Sequence, residues 1–313
     1  MTVFLLRRFF TLIVILFSVP TIVFFIMRLV PADPALVVLG DQASAEAIAA
    51  FRQKAGLDQP LFTQYSDFML GLLQGNLGDS LITGKSISEQ IWSVFPDTLA
   101  LALAALVVGA AVGIPIGVIT AVKRNGWIDF SGRIFALLGF SFPSFYLGVL
   151  LLLVFSVWLG WFPVIHSMRG DSVGEYLQKL VLPGLSLGLV QAAYVTRLTR
   201  STMIEALSQD YVRTAFAKGL TPYEVFFKHA LRNVLVIVIT AMGVYTGTIL
   251  GGAILTETVF NRPGLGKLLI GAIAQRDYNL IQSGLIVFAL IIVLVNLLVD
   301  LSYGLLDPRV KYA

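Results

Sequence analysis

The 313-residue chain contains no cysteine and only two histidines. The first absence excludes disulfides, thiol catalysis and thiolate metal sites, although it does not fix a redox compartment. The two histidines, His166 and His229, fall in different loops, and no H-E-x-x-H is present. These two isolated histidines give no support to intramembrane protease or hydrolase chemistry. Charge is scarce as well: 13% of residues are Asp, Glu, Lys or Arg, against roughly 25% in soluble domains. No basic patch is interleaved with stacking aromatics, so the net charge of +4 does not point to nucleic acid.

What is abundant is apolar sequence, at 57% of residues. A helix crosses a bilayer with about 20 apolar residues. Six runs are long enough: 9–30, 97–122, 134–157, 181–200, 233–256 and 282–303. The fourth is interrupted by Gln191, Thr196 and Arg197. The runs are continuous rather than alternating, which argues against a β-barrel. Arg7 and Arg8 precede a run too long for a typical signal-peptide core, with no A-x-A site after it, so 9–30 reads as a first span. With both termini in the cytoplasm, 13 of the 22 Lys and Arg fall in the short inner pieces, as the positive-inside rule requires. The expected fold is an all-α integral membrane protein with six transmembrane helices, both termini cytoplasmic. Its organisation is a first helix (1–30), a small, mostly helical exterior segment resting on the membrane (31–96) and a five-helix core (97–313).

Within the exterior segment, 43–55 and 61–73 are amphipathic, and Leu57, Leu61, Phe62, Tyr65 and Phe68 favour packing over disorder. The loop at 257–281 carries Gly264, Gly266 and Lys267 but is no phosphate loop. Asn261 stands where a Walker motif needs glycine, and Leu268 where it needs Ser or Thr. A tight re-entrant or surface turn is expected there.

Three runs carry small residues four apart: Ala105, Gly109, Gly113, Gly117 and Ala121; Gly184, Gly188 and Ala192; and Gly243, Gly247 and Gly251. That spacing puts each set on one helix face and lets backbones approach closely. It fits a moving conduit or a dense interface, and the spacing does not choose between them. Pro115 and Pro143 predict kinks. Asn296 lies one turn before Asp300 in the last run. An intramembrane carboxylate is a functional candidate, but so near the cytoplasmic end a structural pair or helix-interface hydrogen bond is favoured over proton coupling.

Between the fourth and fifth runs lies the charged segment 205–232. Asp210 to Lys218 favours helix, and Gly219 sits where a helix end needs positive φ. Thr221 then reads as an N-cap, with Pro222 in the first helical position and Glu224 completing a capping box. Two short helices with a tight bend are predicted, presented to the cytosol.

These pieces resemble the binding-protein-dependent ABC importer permeases, and among them the B-type subunit of the dipeptide, oligopeptide, nickel and glutathione branch. The matching stretches are MRLVPADPA at 27–35, GLDQPLFTQY at 56–65, DYVRTAFAKGL at 210–220, KHALRN at 228–233, ETVFNRPGLGKLL at 257–269, RDYNLIQ at 276–282 and NLLVDLSYGLLDPRV at 296–310. The resemblance implies a transport subunit without enzymatic activity or a cofactor of its own, ATP and Mg being bound by partner ATPases. It makes Asp210, Tyr211, Arg213, Ala215, Phe216, Lys218 and Gly219 the ATPase-coupling residues. It implies four kinds of partner: a C-type permease, two ABC ATPase subunits, an exterior substrate-binding protein and the bilayer of a bacterial inner membrane. Two positions depart from the family pattern: Arg213 replaces an acidic residue, as is usual in the peptide branch, and Phe216 replaces that branch's arginine. A short peptide is the leading substrate among the solutes such permeases carry. A proton-coupled secondary transporter is the competing reading; it would need coupling groups near the midplane and usually an internal repeat, and neither is found.

Overall fold

A computed structural model describes residues 2–29, 34–40, 42–54, 56–163 and 172–306; side chains at 2–9, 34, 37 and 299–306 are outside the description. Twelve α-helices and no strands occur among the described residues. Five helices can cross a bilayer: Phe10–Leu29 within α1 (Thr2–Leu29), α5 (Ile87–Val122), α8 (Val173–Leu207), Glu224–Val259 and Tyr278–Leu298 within α12 (Tyr278–Leu306). A sixth candidate span is a bent pair of helices. It comprises α6 (Trp127–Ser141), then α7 (Ser144–Leu151) continued by a π-helical turn over Leu152–Trp158, and the two parts are bent by 103°. The break falls at Phe142–Pro143, where Pro143 cannot donate to the preceding turn and holds Phe142 extended at ψ 128°. At Pro115 the predicted kink produces no break, since α5 is helical throughout.

Several elements exceed the apolar runs. α5 begins ten residues before 97, because its exterior turns carry Glu89, Gln90 and Ser93 and so read as loop. α8 begins at a capping box, Ser172 with Glu175, in what the sequence suggests is an exterior loop. The loop at 257–281 is not merely a turn: α11 (Leu265–Gln275) forms in it, entered from Pro263–Gly264 and closed by Arg276 in the left-handed region at φ 55°. The exterior segment holds α2 (Pro34–Leu39), α3 (Ala45–Lys54) and α4 (Leu61–Leu73), the last two close to the predicted amphipathic stretches. The expected 205–232 hairpin contains α9 (Asp210–Ala217) and a π-helical turn, Glu224–Ala230, that runs directly into α10 (Leu231–Val259). Its second helix is therefore the start of the fifth span.

The chain divides into two compact units, one of residues up to 96 with 264–294, the other of 97–263 with the segment from 295. In the first, the hairpin bearing the Asp79–Ser86 bridge is tied to the start of α12. Asp277 accepts from Ser80 Oγ, Leu81 N and Leu280 N, while Ser283 Oγ donates to Leu77 O at 2.8 Å. In the second, α8 is the most enclosed span, packed against α6, α7 and α10.

Candidate functional site

The segment Asp210–Arg232 is built by two successive caps. α9 ends in a Schellman motif: Leu220 N donates to Ala215 O at 3.3 Å and Gly219 N to Phe216 O at 2.9 Å. Gly219 sits at φ +82°, a conformation glycine adopts without strain. Thr221 follows with the capping box: Thr221 N donates to Glu224 Oε2 at 3.0 Å and Glu224 N to Thr221 Oγ1 at 3.4 Å. Two residues therefore reverse the chain with both helix ends satisfied.

Packing then sorts the side chains of α9. Val212 and Ala215 are buried with Val225, against Leu207, Leu220 and Phe226. Asp210, Tyr211, Arg213, Phe216, Lys218 and Gly219 are exposed. Arg213 and Asp210 are 3.5 Å apart on that open surface, where such a pair contributes little. Phe216, although exposed, also meets Phe226 edge-on at 6.3 Å. Six of the seven coupling candidates are thus exposed, and Ala215 is buried.

The base of the segment is held by a buried acid that sequence reasoning passed over. Asp129, with no exposed side-chain surface, receives a two-pronged contact from Arg200: Nε to Oδ1 at 2.6 Å and Nη2 to Oδ2 at 2.9 Å. Asn125 N adds a third bond at 3.0 Å, and Arg133 lies 3.8 Å away. The start of α6 is thereby fixed to the end of α8. A lone acid in a first helical turn, next to a charged loop, gave only a weak signal.

Two glycine ladders interlock. A Cβ at Gly109 would lie 2.7 Å from the Gln191 amide, at Gly113 2.7 Å from Val195 Cβ, and at Gly117 2.5 Å from Thr199 Cβ. From the other side, a Cβ at Gly188 would lie 2.5 Å from Val108 Cβ, and at Gly184 3.0 Å from Ala104 Cβ. α5 and α8 therefore meet along a glycine seam. The third ladder does not join it. Gly251 is exposed and faces open space, Gly243 and Gly247 are half-buried, and the close contact of α10 is made by Gly252, with Leu187 at 3.1 Å. Beside the seam, Tyr194 on α8 and Tyr245 on α10 stack at 4.6 Å with their rings 10° apart. Among the described residues, neither polar atom of the buried Gln191 side chain has a partner, nor has Asn296 Oδ1. Asp300 lies outside the described side chains, and so does any pairing of it with Asn296.

At the opposite end of these spans from the hairpin, Arg262 is fully buried. Its Nη2 donates to Tyr176 OH at 2.7 Å and Asp97 Oδ1 at 3.3 Å, and Tyr176 OH donates to the same Asp97 oxygen at 2.9 Å. Thr98 Oγ1 donates to buried Glu257 Oε1 at 2.6 Å. These bonds join α5, some ten residues in from its start, to the first turn of α8 and the end of α10.

Residues 113–312 match the family described as binding-protein-dependent transport system inner membrane component, and residues 1–102 match the N-terminal family of such components. The chain belongs to this family. It is 40% identical to the dipeptide transport system permease protein of Alkalihalophilus pseudofirmus over the whole of both chains. It is 42% identical to a di/tripeptide transport system permease protein of Pseudomonas aeruginosa, covering 99% of this chain and 98% of the relative. With a glutathione transport system permease protein of Salmonella choleraesuis the identity is also 42%, over 99% of each. A solved chain of the MetNI methionine ABC transporter, in an inward-facing conformation, has the same fold with a TM-score of 0.56 at 19% identity, covering 70% of this chain and 97% of that one.

This permease is thus a multi-pass, all-α inner-membrane component of an ABC importer of the peptide and glutathione branch, a transport subunit rather than an enzyme. The secondary-transporter reading is set aside by the same relatives. Membership also implies work alongside another permease, ATPases and a binding protein.

Proposed function

We propose that this permease carries di- or oligopeptides, or a peptide-like solute such as glutathione, as one half of a heterodimeric conduit. A distinct C-type permease forms the other half, two ABC ATPases supply the energy, and an exterior binding protein delivers the solute. Both termini lie in the cytoplasm, which places segment 205–232 on the ATPase side. The observation that carries this reading is the open face of α9. Asp210, Tyr211, Arg213, Phe216, Lys218 and Gly219 stand exposed on a hairpin whose interior is already satisfied by the Schellman motif and the capping box. A surface so fixed and so little used by its own chain suits a rigid socket on a cytosolic partner. Ala215 contributes as filling beneath that surface. Spans α5, α8 and α10 form the conduit wall, with the glycine seam keeping the first two close and the Tyr194–Tyr245 stack standing on the wall. Relatives of this chain named for dipeptide, di/tripeptide and glutathione transport support the substrate class.

The test is purification of the chain with its membrane neighbours, in wild-type form and as Arg213→Glu and Lys218→Glu. Both changes lie on the exposed face and leave the fold intact. The wild type is expected to bring down a related permease and ATPases, with the ATPases lost from the variants. Full retention of the ATPases in both variants would remove α9 as the docking surface. Recovery of the chain with no second permease would remove the heterodimer.

A further inference from the structure

α4 sits at a depth that an exterior helix resting on the membrane surface does not reach. Its partner α1 has an apolar stretch of 20 residues, Phe10–Leu29, about 30 Å of helix and so one bilayer core. Tyr65 of α4 is hydrogen-bonded through its hydroxyl to Thr21 Oγ1 at 2.7 Å, and Thr21 lies roughly 12 Å along the axis below Leu29. Phe24, fully buried, meets Tyr65 edge-on at 5.4 Å and stacks on Phe68 at 5.5 Å. Only Arg28 marks the upper rim, where it donates to Gln64 Oε1 at 3.1 Å.

At about 100° per residue, α4 has three sides. Tyr65 and Phe68 face α1. Thr63, Gln64 and Asp67 form a polar side, and the Gln64 bond to Arg28 turns it toward the rim. The third side carries Phe62, Met69, Leu70 and Leu73 around Ser66, whose hydroxyl is taken up by Thr63 O at 2.9 Å; Phe62 is 80% and Leu73 71% exposed, and no charge lies among them. It continues into the exposed apolar surface of α1, the least enclosed of the spans, through the Phe25–Tyr65 stack at 5.9 Å.

We infer that α4 is inserted in the outer leaflet, with Phe62, Met69, Leu70 and Leu73 immersed in acyl chains and Thr63, Gln64 and Asp67 at headgroup level. Interfacial helices bury an apolar face about 5–10 Å into that boundary, and the Tyr65–Thr21 bond, roughly 12 Å below the end of the span, sets α4 at least that deep. Its apolar face is then closed to soluble proteins, and a binding protein approaching this element meets only the polar side. The inference does not depend on which solute is carried.

The absence of cysteine in the chain makes the test direct. Single variants Phe62→Cys, Leu73→Cys, Asp67→Cys and, as a lipid-facing standard on α1, Ile22→Cys are spin-labelled in the assembled complex in vesicles. Collisions with dissolved oxygen and with a water-soluble nickel chelate are then compared. Labels at 62 and 73 are expected to match Ile22→Cys, with nickel collisions several-fold below those at 67. High nickel access at 62 and 73 would overturn the inference in favour of a water-exposed helix. Low access to both reagents would overturn it in favour of a protein interface. Leu70→Cys on the same side replaces either variant that fails to assemble.

Discussion

Alanine at Gly117 and alanine at Gly251 are the same chemical change at two glycine-ladder positions, and the structure assigns them opposite signs. At Gly117 the new methyl would stand 2.5 Å from Thr199 Cβ and 2.9 Å from Thr196 O. Carbon atoms prefer about 3.5–4.0 Å, so the overlap is on the order of 1 Å. The obstructing atoms are a branched Cβ on a fully buried side chain and a helix carbonyl, neither of which swings aside, so α5 and α8 must part. Overpacking of that kind costs about 1–3 kcal/mol. The gain in helix propensity from Gly to Ala offsets about 1 kcal/mol, leaving a net loss of up to about 2 kcal/mol. Gly251 meets nothing within 4 Å, so there the propensity gain stands alone. Purified complexes heated in detergent and scored by the fraction that remains monodisperse on gel filtration read the difference. Gly117→Ala should melt several degrees below wild type and Gly251→Ala at or above it. If the two variants melted together, the glycine seam would not be a close contact and its assignment would be wrong.

Asp129→Ala strands a guanidinium and opens the base of the hairpin; because Arg200 retains some solvent, the loss should be about 2–3 kcal/mol rather than the ~3–5 of a fully buried pair. Asp129→Leu with Arg200→Met should recover part of it, measured by the same melts. Tyr176→Phe removes the hydroxyl that bridges Arg262 and Asp97 and should cost about 1–3 kcal/mol, whereas a melt equal to wild type would mean the hydroxyl bonds contribute nothing there. Gln191→Met replaces an amide with no partner by a side chain of similar shape and should raise the melting temperature; a fall would show that the amide is satisfied. Tyr194→Cys and Tyr245→Cys, in this otherwise cysteine-free chain, should react with a hydrophilic thiol reagent in the assembled transporter if the stack lines the conduit. Resistance of both would place it against lipid or protein.

The hairpin was the most legible part of the chain, because its rules are local. Gly219, Thr221, Pro222 and Glu224 sit within six residues; Gly219, Thr221 and Glu224 each bond a backbone group close by, and Pro222 has no N–H in need of a partner. The apolar runs were legible for a similar reason, each being a property of one stretch. Its limits show at the ends. Ser88, Glu89, Gln90 and Ser93 interrupt the apolar residues of Ile87–Phe95 and hide the first turns of α5, and α11 is too short to register as a span. The polar clusters were invisible on different grounds. Asp97 and Arg262 are 165 positions apart, and Asp129 and Arg200 are 71 apart. Each residue alone reads as a loop charge beside a span. Only the fold shows that they are buried and opposed. The third ladder shows the limit of spacing alone: Gly251 shares the spacing of the seam, yet it faces open space in this chain.

These features converge on α8. Its 35 residues make a rod of about 52 Å, and the second compact unit is bonded to it at three levels. Arg200 holds α6 near the hairpin, Gly184 and Gly188 interlock with α5 in the middle, and Tyr176 joins Asp97 and Arg262 at the far end. The seam has no compliant side chain to absorb a displacement, since the facing atoms are mostly backbone and Cβ. On the proposed reading, a displacement imposed at the hairpin would travel along α8 with little of it absorbed by side-chain rearrangement. The one soft point is Gln191, whose buried amide lacks partners exactly where Gly109 admits it. An unsatisfied amide costs about 1–3 kcal/mol, and any second arrangement of α5 on α8 that gave it a partner would recover that amount. A seam too rigid to bend and carrying a built-in penalty favours switching between two packings over gradual deformation.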